Sequence, residues 1–262
     1  MKKAIAAVSF GTSFPDARLA IEHIETRLMS RFYDRDFFRA FTSGMITRKI
    51  AREEGIVIPS AGELAEQLLR SGYTDVLFQS LHIIAGSEYE KFLSQIAPFV
   101  EFFERVSIGK PLLYHAEDYA ETCRVLLENM PPEQDGEAVV FMGHGSEHPM
   151  NAVYSQLENT FRTMPRERVY VGTVEGFPEL DYIVNRLRRS NIRRVHLAPL
   201  MIVSGEHAKN DLAGKDADSW VSQLTAAGFE VAVNLLGIGE YDGIAELIVK
   251  HAEAADNAHA LI

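Results

Sequence analysis

Glu137-Ala138-Val139-Val140-Phe141-Met142-Gly143-His144-Gly145-Ser146-Glu147-His148 decides how this chain is read. Its opening, residues 137–142, is a mostly apolar run of the kind a strand shows when a parallel sheet buries it on both faces. A strand that ends in a glycine-flanked histidine leaves the imidazole at the carboxyl edge of the sheet. Open α/β sheets place their ligands there. Gly143 and Gly145 let the backbone turn sharply and let a large ligand approach. An imidazole in that position can hold a metal ion or accept a proton near neutral pH. A single Gly-His-Gly is more often a turn without chemistry. Two further polar groups at matching strand ends shift the balance.

Outward from this stretch, strands and helices alternate. Strands are expected at 3–9, 36–41, 75–79 and 105–108, then at 137–142, 168–173, 194–199 and 230–234. Helices are expected at 16–30, 45–53, 60–70, from 88 to about 104, and at 116–130. After the midpoint they are expected at 150–163, 179–190 and 219–227, with a last one from Tyr241 that frays from Ala254 onward. Ser60-Ala61-Gly62-Glu63 has the form of a capping box. Such alternation predicts parallel sheets joined by right-handed crossovers. Pro131-Pro132-Glu133-Gln134-Asp135-Gly136 reads as a linker. It divides the chain into an N-terminal α/β domain, 1–132, and a C-terminal one, 137–262, with terminal helices free to cross between them.

The halves resemble each other. Val8-Ser9-Phe10-Gly11-Thr12-Ser13 matches Met142-Gly143-His144-Gly145-Ser146 and sets Phe10 against His144. Thr42-Ser43-Gly44 matches Thr173-Val174-Glu175-Gly176. The run from Val76 to Glu88 aligns without a gap on Val195 to His207 and sets Glu88 against His207. The expected fold is therefore two similar Rossmann-like α/β domains with parallel sheets, related by internal duplication. An active site is expected in the cleft between equivalent strand ends. The second half offers His144, Glu175 and His207 after three separate strands. The first offers Phe10, the Ser43-Gly44 turn and Glu88.

Composition narrows the function. The formal net charge of −11 argues against nonspecific nucleic-acid binding. A single cysteine, Cys123, rules out an internal disulfide and a cysteine-rich metal site. The opening Met1-Lys2-Lys3-Ala4-Ile5-Ala6-Ala7-Val8 is better read as a first strand than as a signal peptide, and no apolar run is long enough to span a membrane. A cytoplasmic protein is expected, without a membrane partner; a homo-oligomer is compatible with the sequence.

Two imidazoles and a carboxylate suit a borderline divalent ion such as Co2+, Ni2+, Fe2+ or Zn2+. Three protein ligands leave an open face from which an ion can be handed on. The same imidazoles can take up protons released when a metal enters a macrocycle. Both tasks need neutral histidine, so activity is expected to fall below about pH 6. No nucleotide-binding phosphate loop or hydrolase elbow is present; Gly11-Thr12-Ser13 lacks the lysine and glycine spacing of the former.

From Lys2 to about Gly239 the chain resembles the anaerobic-type sirohydrochlorin cobalt chelatases of cobalamin biosynthesis (CbiK type), within the class II chelatases that include ferrochelatase. The resemblance rests on Val8-Ser9-Phe10-Gly11-Thr12-Ser13, Phe38-Arg39-Ala40-Phe41-Thr42-Ser43-Gly44-Met45 and Gln79-Ser80-Leu81-His82-Ile83-Ile84. It continues in Val139-Val140-Phe141-Met142-Gly143-His144-Gly145, Val174-Glu175, His196-Leu197-Ala198-Pro199-Leu200-Met201 and Gly205-Glu206-His207-Ala208-Lys209-Asn210-Asp211.

The resemblance implies a lyase that inserts Co2+ into sirohydrochlorin without ATP, with His144, Glu175 and His207 as metal-binding and catalytic residues. Fe2+ or Ni2+ are alternative metals. A sirohaem-directed ferrochelatase, or a tetrapyrrole or metal carrier without turnover, are alternative functions; a small-ligand module whose three polar residues never converge is another. Phe10, Gly11, Thr12, Ser13, Gly145 and Met201 are candidates to line the macrocycle site, and Glu88 is a candidate relay. His82 is a candidate contact, although a hydrogen-bonded core histidine is the plainer reading. Backbone N–H groups after Gly11 and Gly145, with Arg18, Lys91 and Lys209, are candidates to receive the substrate's carboxylates. Glu147 is an acidic residue beside the site where the family pattern suggests a neutral one.

Overall fold

β1 (Lys3–Ser9) and β5 (Glu137–Gly145) are buried at almost every position. In a sheet that has to mean a centre strand with helices on both faces. The computed structural model describes residues 2–206 and 208–258. It contains two four-stranded parallel sheets, each with one of these strands inside. Among the described residues no helix is long and apolar enough to cross a membrane.

The first compact unit comprises Met1–Tyr114 and Asp242–Ile262. β1 leads into α1 (Pro15–Arg31), β2 (Asp36–Phe41), α2 (Gly44–Glu54), α3 (Ala61–Arg70), β3 (Asp75–Ser80), α4 (Ser87–Ile96) and β4 (Arg105–Gly109). The sheet order is β2-β1-β3-β4. Ser60 and Glu63 form the expected reciprocal cap on α3. The long helix expected to reach Glu104 stops at Ile96 and continues as a 3-10 segment, Ala97–Phe102. Pro98 explains the change, because it removes a backbone donor from the α-helical ladder.

The second unit comprises His115–Tyr241. It holds α5 (Ala116–Glu128), β5, α6 (Ala152–Phe161), β6 (Val169–Glu175), α7 (Leu180–Arg189), β7 (Arg194–Leu200), α8 (Trp220–Ala226) and β8 (Glu230–Val233). The sheet order is β6-β5-β7-β8, the same pattern as in the first unit. Each unit has its own apolar core, one around Val76, Phe78 and Phe92, the other around Met142, Ile183, Leu197 and Trp220.

Register makes the duplication concrete. Ala4 pairs with Val76 in the first sheet, and Ala138 pairs with Val195 in the second. Carrying that correspondence along the strands sets Phe10 on His144 and Gly11 on Gly145. Both glycines are left-handed, with φ of +92° and +83°. Ile5 pairs with Phe37 and Val139 with Val169, which sets Ser43 on Glu175.

The units do not coincide with the halves on either side of residues 131–136. That segment lies inside the second unit, where Arg166 donates to the Pro131 carbonyl at 2.5 Å and Arg193 N–H donates to Gly136 at 2.8 Å. The helix that follows the fourth strand of each half joins the other unit. α5 packs on α6, and Cys123 lies against the Leu157 carbonyl. α9 (Asp242–Asn257) packs on α1, β3 and β4. Its end is not frayed at Asp256, whose carboxylate is held by Arg35 at 2.6 Å and also by Arg105.

Candidate metal centre

β5 extends three residues beyond the expected 137–142, so His144 lies within the strand and not in a turn. Two glycines allow this. A Cβ at Gly143 would collide with the Tyr154 ring, and one at Gly145 would collide with the Glu175 carbonyl. The β5–β6 ladder therefore runs on to a last rung that pairs Gly145 with Glu175. Glu175 stands on that rung, and His144 comes one residue before its partner Gly145 on the adjacent strand.

His144 Nδ1 lies 3.0 Å from the Gly145 carbonyl oxygen. A carbonyl can only accept, so the ring donates to it from Nδ1. The Glu175 carboxylate lies 3.9 Å from the same Nδ1. The two side chains are 43% and 58% exposed, respectively, and so are accessible from solvent. Beyond Glu175 the backbone turns at Gly176, φ +96°, into a cis Phe177–Pro178 peptide. The Thr173 N–H donates to the Pro178 carbonyl at 2.7 Å, which folds this loop back on its strand.

His207 lies outside the described residues. It is followed by a π-helical turn, Ala208–Leu212. Among the described residues no three histidine, cysteine or acidic side chains gather into a metal-binding group. The structure thus brings His144 and Glu175 together.

The remaining site candidates separate by environment. Phe10 is 45% exposed at the end of β1. Gly11 is packed so closely on Phe41 that no side chain fits. Thr12 is buried and accepts from the Phe14 N–H at 3.2 Å, while Ser13 is half-buried. Met201 is buried in the core of the second unit. His82 is buried against the Ser80 hydroxyl, 2.9 Å from its Nδ1. Burial pushes its imidazole down to about 4, with nearby Glu88 opposing and Lys91 assisting. Glu88, in the first turn of α4, pairs with Lys91 at 3.4 Å. Glu147 is exposed.

Two expectations about carboxylate binding change. Arg18 is buried and engaged by both oxygens of Glu54, at 2.6 and 2.9 Å. In the loop after Gly145 the backbone donors are taken up internally. Ser146 N–H donates to Asn151 Oδ1, His148 N–H to Ser146 Oγ, and Met150 N–H to His148 Nδ1. Short polar side chains in such turns compete for the donors that a bound anion would use. Asn151 is a residue that the sequence reading passed over. The signal was its place two residues after Pro149, the counterpart of Pro15 at the start of α1.

Comparison with known proteins identifies the family of the chain. The sequence model of the cobalt chelatase (CbiK) family matches residues 3–257. The sirohydrochlorin cobaltochelatase of Salmonella typhimurium is 43% identical over 258 residues, 98% of this chain and 97% of that protein. The sirohydrochlorin cobaltochelatase CbiKC of Nitratidesulfovibrio vulgaris is 33% identical over 260 residues, 98% of this chain and 92% of that protein. Among solved structures, SirB from Bacillus subtilis with Fe3+ superposes with a TM-score of 0.69 at 16% identity, covering 98% of this chain and 97% of that one. That likeness shows a shared duplicated α/β fold. With the match extending over nearly the whole chain, this protein belongs to the cobalt chelatase (CbiK) family.

Proposed function

We propose that this chain inserts Co2+ into sirohydrochlorin, without ATP, and that His144, Glu175 and His207 hold the incoming ion. The observation that carries the reading is the approach of the Glu175 carboxylate to within 3.9 Å of His144 Nδ1 where the β5–β6 ladder ends, in a chain of this family. The ion is a substrate. It enters as Co2+, the macrocycle gives up two pyrrole protons, and no electron changes hands.

The residues divide that work. His144 presents Nε2 to the ion while its Nδ1–H is fixed by the Gly145 carbonyl. Glu175 supplies the negative charge that attracts a divalent cation. As the ion passes to the ring nitrogens, the vacated imidazoles of His144 and His207 receive the two pyrrole protons. Phe10 offers an exposed ring to the face of a macrocycle. Gly11, Thr12 and Ser13 shape the loop that follows Phe10 in the first unit, and Gly145 shapes the strand end that carries His144 in the second.

Anaerobic metallation of sirohydrochlorin, followed by absorbance with Co2+ and Fe2+ in parallel, tests this. Faster Co2+ insertion than the spontaneous reaction is expected. Binding of macrocycle or metal without acceleration would leave a carrier, and faster insertion of Fe2+ than Co2+ would point to a sirohaem role.

A further inference from the structure

We infer that Asn151 is a positioning residue that fixes the distance between His144 and Glu175 by bolting together the loops that follow them. This rests on the metal-centre reading above. The ladder between β5 and β6 ends at Gly145 and Glu175. At that rung and just after it the chains pass through left-handed glycines, Gly145 and Gly176, and the ladder's hydrogen bonds stop there. The Asn151 carboxamide spans the gap. Its Oδ1 accepts from the Ser146 N–H at 3.0 Å, and its Nδ2 donates to the Phe177 carbonyl at 2.6 Å. Each anchor point lies two residues from a metal-binding side chain. Gly176 completes the fit, because its bare Cα faces the Ser146 carbonyl and the Asn151 amide.

A helix-capping role does not account for this residue. Asn151 occupies the N-cap position of α6, where asparagine commonly bonds the helix's own N–H groups. Here its side chain makes no such bond, and both ends go to the two loops. The duplication supplies an internal comparison. By the correspondence that sets Ala4 on Ala138, Pro149 falls on Pro15 and Asn151 on Ala17. The first unit has Phe10 and Ser43 at the strand ends where the second has His144 and Glu175. The carboxamide is present in the half that carries the proposed metal-binding side chains and missing from the half that does not.

The test uses the full chain with Asn151→Ala, Asn151→Asp and, as a control, His144→Ala. Asn151→Asp keeps an oxygen for the Ser146 N–H but has no N–H for the Phe177 carbonyl. Co2+ itself is titrated and followed by its ligand-field absorbance. Initial insertion rates are then measured with Co2+ and sirohydrochlorin varied in turn. Removing a group that orients metal ligands lowers affinity roughly 10- to 100-fold. Both Asn151 variants should therefore raise the Co2+ Kd and the KM for Co2+ by at least about 10-fold, with the KM for sirohydrochlorin unchanged. Wild-type Co2+ affinity in either variant overturns the inference, as does a lower Tm with Co2+ affinity intact. If His144→Ala alone loses Co2+, only the role of Asn151 fails. If His144→Ala also binds Co2+ normally, the metal centre itself is wrong and the bolt falls with it.

Discussion

Gly145 faces Glu175 across the β5–β6 ladder, and the space a side chain would need at Gly145 is filled by the Glu175 carbonyl. This contact keeps the two strands paired up to the residues that carry the imidazole and the carboxylate. A parallel pair normally splays at its carboxyl end as each chain leaves for its helix. Here glycine lets the pair hold for one more rung, with Glu175 on it and His144 one residue before it. Gly11, the counterpart of Gly145 in the first unit, lies beyond the end of β1 and is packed instead on the ring of Phe41.

Gly145→Ala should therefore damage fold and site together. The residue has φ +83°, which strains any L side chain by about 1 kcal/mol or more. Forcing a methyl group into packed backbone adds roughly 1–3 kcal/mol. A loss of about 2–4 kcal/mol in urea unfolding is expected, together with loss of Co2+ insertion. An unfolding midpoint equal to that of the wild type would mean that the two strand ends are not in contact in solution.

His144→Ala should do the opposite, removing activity and sparing stability. The side chain is nearly half exposed, so truncation should change stability by less than about 1 kcal/mol. Losing the proposed metal ligand and proton acceptor should lower the insertion rate by about 100-fold or more. Glu175→Gln removes charge without changing shape, and should raise the KM for Co2+ while leaving macrocycle binding in place. Equal loss of both would make Glu175 a structural residue.

The strand pattern, the duplication and the His144–Glu175 pair were legible because they rest on local chemistry, namely apolar runs, glycines and residue identity at strand ends. The equivalence of Phe10 with His144 follows from the same register in both sheets. What the sequence hid was partnership. Nothing in α5 says that its apolar face packs on α6, or that α9 returns to β3 and β4, because an amphipathic helix does not name the surface it covers. The Pro131–Gly136 segment has a linker's composition, yet Arg166 and Arg193 tie it down. Asn151 escaped notice for the same reason. Its two partners, at Ser146 and Phe177, lie in different loops, and only the fold brings them to one carboxamide.

His82 should make stability depend on pH. Burial holds its imidazole down at about 4 in the folded protein, against about 6.5 in the unfolded chain. Between those values the unfolded chain binds a proton that the folded one does not. Stability is thus complete above about pH 6.5, declines as pH falls toward 4, and levels off below. At 1.36 kcal/mol per pH unit, the loss across that window is about 3 kcal/mol. Urea unfolding at intervals between pH 4 and 7 would show it, and His82→Gln should flatten the slope. An unchanged slope in that variant would assign the acid sensitivity to other groups.

Arg35 and Asp75 give the sharpest stability prediction, because they are a charge pair with almost no access to water. Their side chains are 2% and 3% exposed, with Nη1 and Oδ1 2.9 Å apart. Arg35 also donates to the Ala4 carbonyl at 3.3 Å and to Asp256 of α9 at 2.6 Å. A buried pair adds little net stability over an apolar one, yet stranding one partner costs roughly 3–5 kcal/mol. Asp75→Asn should cost that much, since it leaves the guanidinium under-compensated beneath the sheet. Asp256 is 25% exposed and shares its charge with Arg105, so Asp256→Asn should cost less. Arg35→Met combined with Asp75→Leu should regain part of the loss, because it removes both charges and fills their volume. A double variant no more stable than Asp75→Asn in urea unfolding would show that the pair contributes through its hydrogen bonds to β1 and α9, and that relief of a stranded charge is not what decides the outcome.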